Sequence, residues 1–311
     1  MSADGLSHFL LTRFNTRLSD DTPPPPEAWL RSRLKLFDQY ALPSVAQQDV
    51  PPDSWLIFCD AGSPTWFREQ FPDRIPVWAE PVWLDRPFST DEAAAAVAAR
   101  VRTPWVITTR MDNDDCIARD YLGAVRAAFA NSREFINFTA GLQCEFGRLY
   151  QRLDPSNAFV SLAEPTVDMT TVFIDGHDQV AKHGPLRQVK TPPMWIQIVH
   201  GENLANSVHG IRVNPSGMAS RFAADLELVN SSHLSLILDR AWTTLRLGLR
   251  VISKPHRLKW LIQSVMPGRT KNTHRRVTER SPSAAAGSTD GQADGLAYNS
   301  PGMVTPVLRN D

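Results

Sequence analysis

Apolar residues along the first part of the chain fall into short buried-type runs that alternate with helical stripes. Phe9, Leu10 and Leu11 lead into the polar stretch Thr12-Arg13-Phe14-Asn15, as a short buried strand opening into a loop does. After the prolines Pro23 to Pro26, Leu30, Leu34, Phe37 and Ala41 recur at helical spacing, and Pro43 is expected to help end that helix. A second run, Trp55-Leu56-Ile57-Phe58-Cys59-Asp60, meets Ala61-Gly62-Ser63-Pro64. Ser63 suits a helix cap and Pro64 a first helical position, so strand, tight turn and helix are expected in that order. Ser89 and Glu92 stand at capping-box spacing ahead of a helix over 93–101. Residues 105–109 (Trp-Val-Ile-Thr-Thr) predict the next strand, and 120–130 the next helix. This alternation predicts an α/β fold with a mostly parallel sheet flanked by helices. From 135 to 200 the pattern shifts to short strand-like runs at 135–138, 158–160, 171–174 and 195–199, which are expected to extend the sheet into a mixed one.

The chemistry concentrates after the 105–109 strand, where Asp112-Asn113-Asp114-Asp115 contains the sole Asp-x-Asp of the chain. In parallel α/β sheets ligands bind beyond the carboxyl ends of strands, which is where this cluster falls. Residues two apart on an extended segment share a side, so Asp112 and Asp114 can both face such a crevice. Carboxylates this close repel unless a cation sits among them, and hard oxygen ligands suit Mg²⁺ or Mn²⁺ bridging a diphosphate. A solvated helix N-terminus, where the dipole favours aspartate, explains the same residues.

Asp60-Ala61-Gly62-Ser63 after an apolar strand resembles the Asp-Asp-Gly-Ser turn of family 2 type glycosyltransferases of the GT-A (Rossmann-like) fold, with Ala61 replacing the second acidic residue. Asp112-Asn113-Asp114 resembles their metal-binding DxD. A closer set is similar to the rhamnosyltransferase family over about residues 9–206: Thr12-Arg13-Phe14-Asn15, Trp29-Leu30-x-x-Arg33-Leu34-x-Leu36-Phe37, Pro43-Ser44-x-x-Gln47, Arg110-Met111-Asp112-Asn113-Asp114-Asp115 and Trp195-x-Gln197-x-Val199-His200-Gly201-x-Asn203. The resemblance implies metal-dependent transfer of a sugar, L-rhamnose by the family's label, from a nucleotide-sugar donor to a glycan or glycolipid acceptor. It implies Asp112, Asp114 and His200 as ligands to Mn²⁺ or Mg²⁺, a Lewis acid for the departing nucleoside diphosphate, with imidazole favouring Mn²⁺. On the donor side it implies Asp60 for the base, Asp112 in its alternative role for the ribose, and Asp115 beside them. Arg13 and Arg110 end their strands where a guanidinium can grip the diphosphate, or pair with a nearby carboxylate. Trp195 can stack on a sugar or base, or fill the core. Glu164 and Asp175, each closing an apolar run, are the candidates for the general base of an inverting transfer. His177 and His183 read first as loop residues and second as acceptor contacts.

Two other classes stay open at this level. One is a nucleotidyltransferase or phosphohydrolase on a Rossmann-like sheet, although such phosphatases place Thr or Val where this chain has Cys116. The other is a non-catalytic carbohydrate-binding protein that keeps the fold.

Composition bounds these readings. The 311 residues carry 33 Lys+Arg and 33 Asp+Glu, with 42% hydrophobic and 21% charged residues, an ordinary soluble globular profile. Cys59, Cys116 and Cys144 show no metal or disulfide spacing, so a reduced cytoplasmic setting is expected. The first residues lack the pattern of a signal peptide and no long uncharged apolar run follows, so neither secretion by that route nor a membrane span is expected. The zero net charge hides an asymmetry. Residues 240–276 hold ten basic and no acidic residues, leaving 23 basic against 33 acidic elsewhere. Trp242, Leu245, Leu249 and Ile252, then Leu258, Leu261, Ile262 and Val265, fall at helical spacing within that segment. Either these faces pack on the body, or they lie on an anionic membrane surface at its inner face. The acidic remainder argues against nucleic acid as a partner. The expected organisation is a GT-A domain over 1–230, a basic amphipathic helical extension over 231–276 and a disordered tail over 277–311.

Overall fold

The computed structural model describes residues 5–200, 208–215, 217–229 and 231–253. The expected tail and the second half of the basic extension lie outside the described residues.

The first half alternates strands and helices as the pattern requires. In chain order it runs β1 (Leu6–Arg13), α1 (Glu27–Leu36), α2 (Leu42–Ala46), β2 (Ser54–Asp60), α3 (Thr65–Gln70), β3 (Ala79–Leu84), α4 (Thr90–Ala98) and β4 (Trp105–Arg110). There follow β5 (Cys116–Ile117), α5 (Tyr121–Ala127), β6 (Glu134–Phe138), β7 (Ala140–Glu145), β8 (Arg148–Leu153) and β9 (Ser161–Pro165). The last elements are β10 (Leu186–Val189), β11 (Trp195–Val199), β12 (Ile211–Arg212) and α6 (His233–Ser253). Seven strands form the main sheet in the order β10-β6-β9-β4-β1-β2-β3, and five form a second sheet, β12-β8-β7-β11-β5. In the main sheet β1, β2, β3 and β4 run parallel, while β9 pairs antiparallel with both β4 and β6.

Both faces of the main sheet are covered, which is why its strands read as continuous apolar runs. Leu6 and Leu10 of β1, Trp55 and Ile57 of β2 and Ile107 of β4 share one core with Leu30, Leu34, Phe67 and Tyr121 from the helices. Phe9, Leu11, Leu56, Phe58 and Val106 point to the other face, against Ala93 and Val97 of α4. Phe14, just beyond β1, meets Phe37, Phe67 and Phe71 at ring separations of 5.3, 5.3 and 4.9 Å. This cluster fixes the loop that follows Arg13.

Local details depart from expectation for identifiable reasons. Pro43 does not end the first helix. A π-helical turn, Phe37–Ala41, joins α1 to α2 and leaves Pro43 in the first turn of α2, where its missing N–H costs little. Ser63 is not a helix cap: its hydroxyl donates to the Asp60 carbonyl at 2.6 Å and accepts from Asn15 Nδ2 at 2.8 Å, closing the turn instead. Ser89 does cap α4, accepting from the Glu92 N–H at 3.2 Å. The run 171–174 forms a 3₁₀ turn, Val172–Ile174, because Thr171 adopts φ 67° and breaks the extended chain. The run 158–160 precedes β9 rather than forming a strand itself.

His8 sits 1% exposed in the middle of β1, with Nε2 2.7 Å from Thr109 Oγ1. Burial, assisted by the nearby Arg126 charge, pushes its imidazole down to about 3. Below about pH 6.5 the unfolded chain therefore takes up a proton that the folded chain refuses. Stability should fall by roughly 1.4 kcal/mol per pH unit from about pH 6.5 toward about pH 3 through this group. Denaturant unfolding across the acidic range should show that slope, and His8→Gln should remove its share; an unchanged slope in the variant would contradict a neutral buried His8.

Candidate active site

β1, β2 and β4 deliver Arg13, Asp60 and Arg110 to one edge of the sheet, since Arg13 is level with Phe58 and Leu11 with Arg110. The guanidinium carbons of Arg13 and Arg110 lie 5.5 and 5.6 Å from the Phe173 ring centroid, and Arg13 also lies 5.6 Å from that of Phe88. Arg110 Nη2 donates to Asp112 Oδ1 at 3.3 Å, while its Nε is buried with no hydrogen-bond partner among the described residues. Burial, then the neighbouring Arg110, holds Arg13 below its ordinary range. Desolvation acts to raise the Asp112 carboxyl, but Arg110 and Arg13 outweigh it and hold the group below the usual carboxylate range. Two guanidiniums against one aromatic face and one carboxylate leave a net positive edge with an unused donor, which suits a further anion.

Successive side chains of the acidic motif take distinct tasks. Asn113 Nδ2 donates to the Phe14 carbonyl at 2.8 Å, and Asp115 Oδ1 accepts the Ile198 N–H at 2.9 Å, so these two fasten the motif to the end of β1 and to β11. Asp114 Oδ2 receives Arg33 Nη1 and lies 3.0 Å from His200 Nε2. Burial, then the charges of Asp114 and Asp112, pushes the Asp115 carboxyl well up, opposed by the Ile198 N–H. By fixing β11 two residues before His200, Asp115 helps set the imidazole against Asp114.

Arg33, present in the family's motif, was given no task by sequence reasoning. Its signal was available: it lies three residues from Leu30 and four from Phe37, on the apolar face of α1, where an arginine is out of place without a buried partner. Its side chain is 10% exposed, as is that of Asp114, and its guanidinium carbon lies 5.1 Å from the Trp29 ring centroid. Asp60 is also enclosed, at 4% exposure, with Oδ1 accepting the Gly62 N–H at 2.9 Å and Oδ2 3.1 Å from Arg17 Nε.

The family model described as "Putative rhamnosyl transferase" matches residues 26–212, more than half of the 311. The chain belongs to this family. No curated protein matches it. Among solved structures it is similar to TarS 1–349 of S. aureus, at 9% identity over 62% of this chain and 60% of that one, with a TM-score of 0.36. It is also similar to HddC from Yersinia pseudotuberculosis, at 10% identity over 61% and 93% of the two chains, TM-score 0.35. A third is the inositol-1-phosphate CTP transferase from T. maritima, at 10% identity over 65% and 93%, TM-score 0.36.

Within this rhamnosyl transferase family member, the expected metal ligands come together only in part. Asp114 and His200 meet, whereas Asp112 turns to Arg110. Among the described residues no three His, Cys, Asp or Glu side chains converge on one point. Asp114 and His200 are the residues whose donor types could hold a divalent cation.

Three expected site residues are corrected. Trp195 is not a donor platform: it is 1% exposed, stacked 5.1 Å from Phe159, with its indole N–H donating to the Phe138 carbonyl at 2.8 Å. Gly141 backs the ring so closely that an added Cβ would lie 2.0 Å from it. Glu164 is not the base. β9 runs antiparallel to β4 and sets Glu164 opposite Val106, about 13 Å along the strand from Arg110. There its carboxylate is 1% exposed and accepts the Thr170 and Thr171 N–H groups at 3.2 and 2.7 Å. Asp115, at 3% exposure and bonded to β11, supports the site without facing a ligand.

Asp175 is placed differently. It follows the turn that sets Phe173 beside Arg13 and Arg110, its side chain is 38% exposed, and Oδ2 lies 2.8 Å from His183 Nε2. The His183 hydrogen bond, then the Gly176 N–H, hold its carboxyl below the usual range. His177 Nδ1 pairs with the Ser156 carbonyl, and its charge contributes to lowering Asp112. A cavity of about 370 Å³ opens at His200, lined by Leu36, Tyr40, Cys144, Ile198, Leu226 and Glu227.

Trp195→Ala is expected to destabilise the fold by about 3–5 kcal/mol, the range for emptying a large aromatic site. Chemical denaturation checks this. A variant that kept its stability and lost ligand affinity instead would return Trp195 to the ligand.

Proposed function

We propose that the chain is a glycosyltransferase that moves a sugar from a nucleoside diphosphate donor to a glycan or glycolipid acceptor. The observation that carries this reading is the paired Arg13 and Arg110 at the carboxyl edge of the sheet, with Asp112 beside them and the buried Arg110 Nε lacking a partner. A diphosphate offers the charge and the acceptor atoms that this edge lacks, and fixed guanidiniums stabilise the negative charge that grows on it as the glycosidic bond breaks. This reading assigns the nucleoside to the turn that the enclosed Asp60 closes through Gly62, and the ribose to the side of Asp112. Asp114 and His200 would hold the divalent cation, Mn²⁺ or Mg²⁺; Arg33 and His200 both meet Asp114 at Oδ2, and Oδ1 is the oxygen this reading assigns to the metal. When bound, that cation supplies Lewis-acid stabilisation to the leaving diphosphate.

Asp175 is the base of this scheme. It is ionised and exposed, and His183 holds it in place, so it can take the proton of the acceptor hydroxyl. The family's description supports L-rhamnose as the sugar.

A thermal-shift panel of UDP-, GDP- and dTDP-sugars with and without Mn²⁺ tests the reading, since selective stabilisation by one donor requires a formed site. One donor class should raise the melting temperature in the presence of Mn²⁺. Arg13→Gln and Arg110→Gln should each weaken its binding about 10- to 100-fold, the scale of a lost charged hydrogen bond. Asp175→Asn should leave binding intact and abolish transfer. If no nucleotide-sugar stabilises the protein, or if both arginine variants bind as the parent does, the reading fails.

A further inference from the structure

The helix α6 turns its apolar side outward. Thr243 accepts the Arg212 N–H through Oγ1 at 3.1 Å, and Asp239 Oδ2 lies 3.9 Å from Arg212 Nε, so the polar side of α6 faces the body. At about 100° per residue, Leu234, Leu238, Trp242, Leu245 and Leu249 share one side, turned well away from Asp239 and Thr243. They are exposed by 54–67%, and Ile237 beside them by 63%. The alternative in which this stripe packs on the α/β body is thereby excluded for the described part of the helix. Arg246, four residues after Trp242 and three before Leu249, borders the stripe, and both it and Arg240 are exposed.

We infer that α6 docks the protein on an anionic lipid surface, with Leu234, Leu238, Trp242, Leu245 and Leu249 entering the headgroup region and the flanking basic residues meeting lipid phosphates. Charge selects this partner over others. The ten basic residues of 240–276 have no acidic residue among them, so a second copy of the helix, or the basic stretch after Ser253, would bring like charges together. An anionic bilayer supplies the opposite charge and an apolar interior at once. No described helix is long and apolar enough to cross a membrane, so the contact is one of lying on the surface. This inference stands apart from the sugar-transfer reading, since it uses none of the residues at Asp114.

Flotation of the full chain with vesicles tests it. Binding is expected to vesicles containing phosphatidylglycerol, to be at least about tenfold weaker with phosphatidylcholine alone, and to fall as salt is raised. The double variant Leu238→Glu/Leu245→Glu, whose residues are exposed, should keep its unfolding transition and lose flotation by a similar factor. Arg246→Glu, which reverses the charge bordering the stripe, should weaken the preference for anionic vesicles. Equal flotation on both vesicle types, parental flotation by the Leu238→Glu/Leu245→Glu variant, or absence of flotation with a dimer that this variant dissolves would each overturn it.

Discussion

One buried carboxylate organises the working edge of this protein. Asp114 accepts Arg33 from α1 and lies against His200 beyond β11, groups separated from it by 81 and 86 residues in the chain. Both partners reach it in a place almost closed to water, where an unpaired charge would be costly. The pairing therefore specifies how the first helix, the loop after β4 and the end of β11 come together. Asn113 and Asp115 reinforce it from either side by holding the Phe14 carbonyl and the Ile198 N–H.

The same interaction divides the acidic motif into two halves with different electrostatics. On one side Asp112 sits under Arg110 and Arg13, and the surplus there is positive. On the other, Asp114 shares a single oxygen with a guanidinium and an imidazole. A guanidinium pair over one carboxylate and a carboxylate shared by a guanidinium and an imidazole thus stand within one short motif. Both halves lie within residues 26–212, the span that matches the rhamnosyl transferase family.

The central sheet was legible because its strands are buried on both faces and end at polar turns. β1, β2, β4, β6 and β11 all contain the runs from which they were expected. The hairpin of β7 and β8 was not, for a physical reason. Phe146 and Gly147 turn the chain with φ of 47° and 70°, and a phenylalanine at the first of these positions carries no turn signal. Arg13, Arg110, Asp112, Asp114 and His200 lie at or just beyond the strand ends where their positions in the sequence put them. Glu164 misled because the direction of β9 cannot be read from an apolar run, and an antiparallel strand carries its last residues to the opposite edge. Trp195 misled because a residue next to a motif in sequence can point into the core. Arg33 stood in the sequence both within the family's motif and as a charge on an apolar helix face, and its task became clear once its partner was known.

The organising role assigned to Asp114 is tested most directly by a double-mutant cycle of Arg33→Met and Asp114→Asn, read by denaturant unfolding. Each single variant should be markedly destabilised, because each leaves one buried group of the pair without its partner. The pair should show a coupling energy of about 1–3 kcal/mol, with the double variant more stable than the two single losses sum to. Losses that add to within about 0.5 kcal/mol would show that Arg33 and Asp114 do not depend on one another, and would contradict the account.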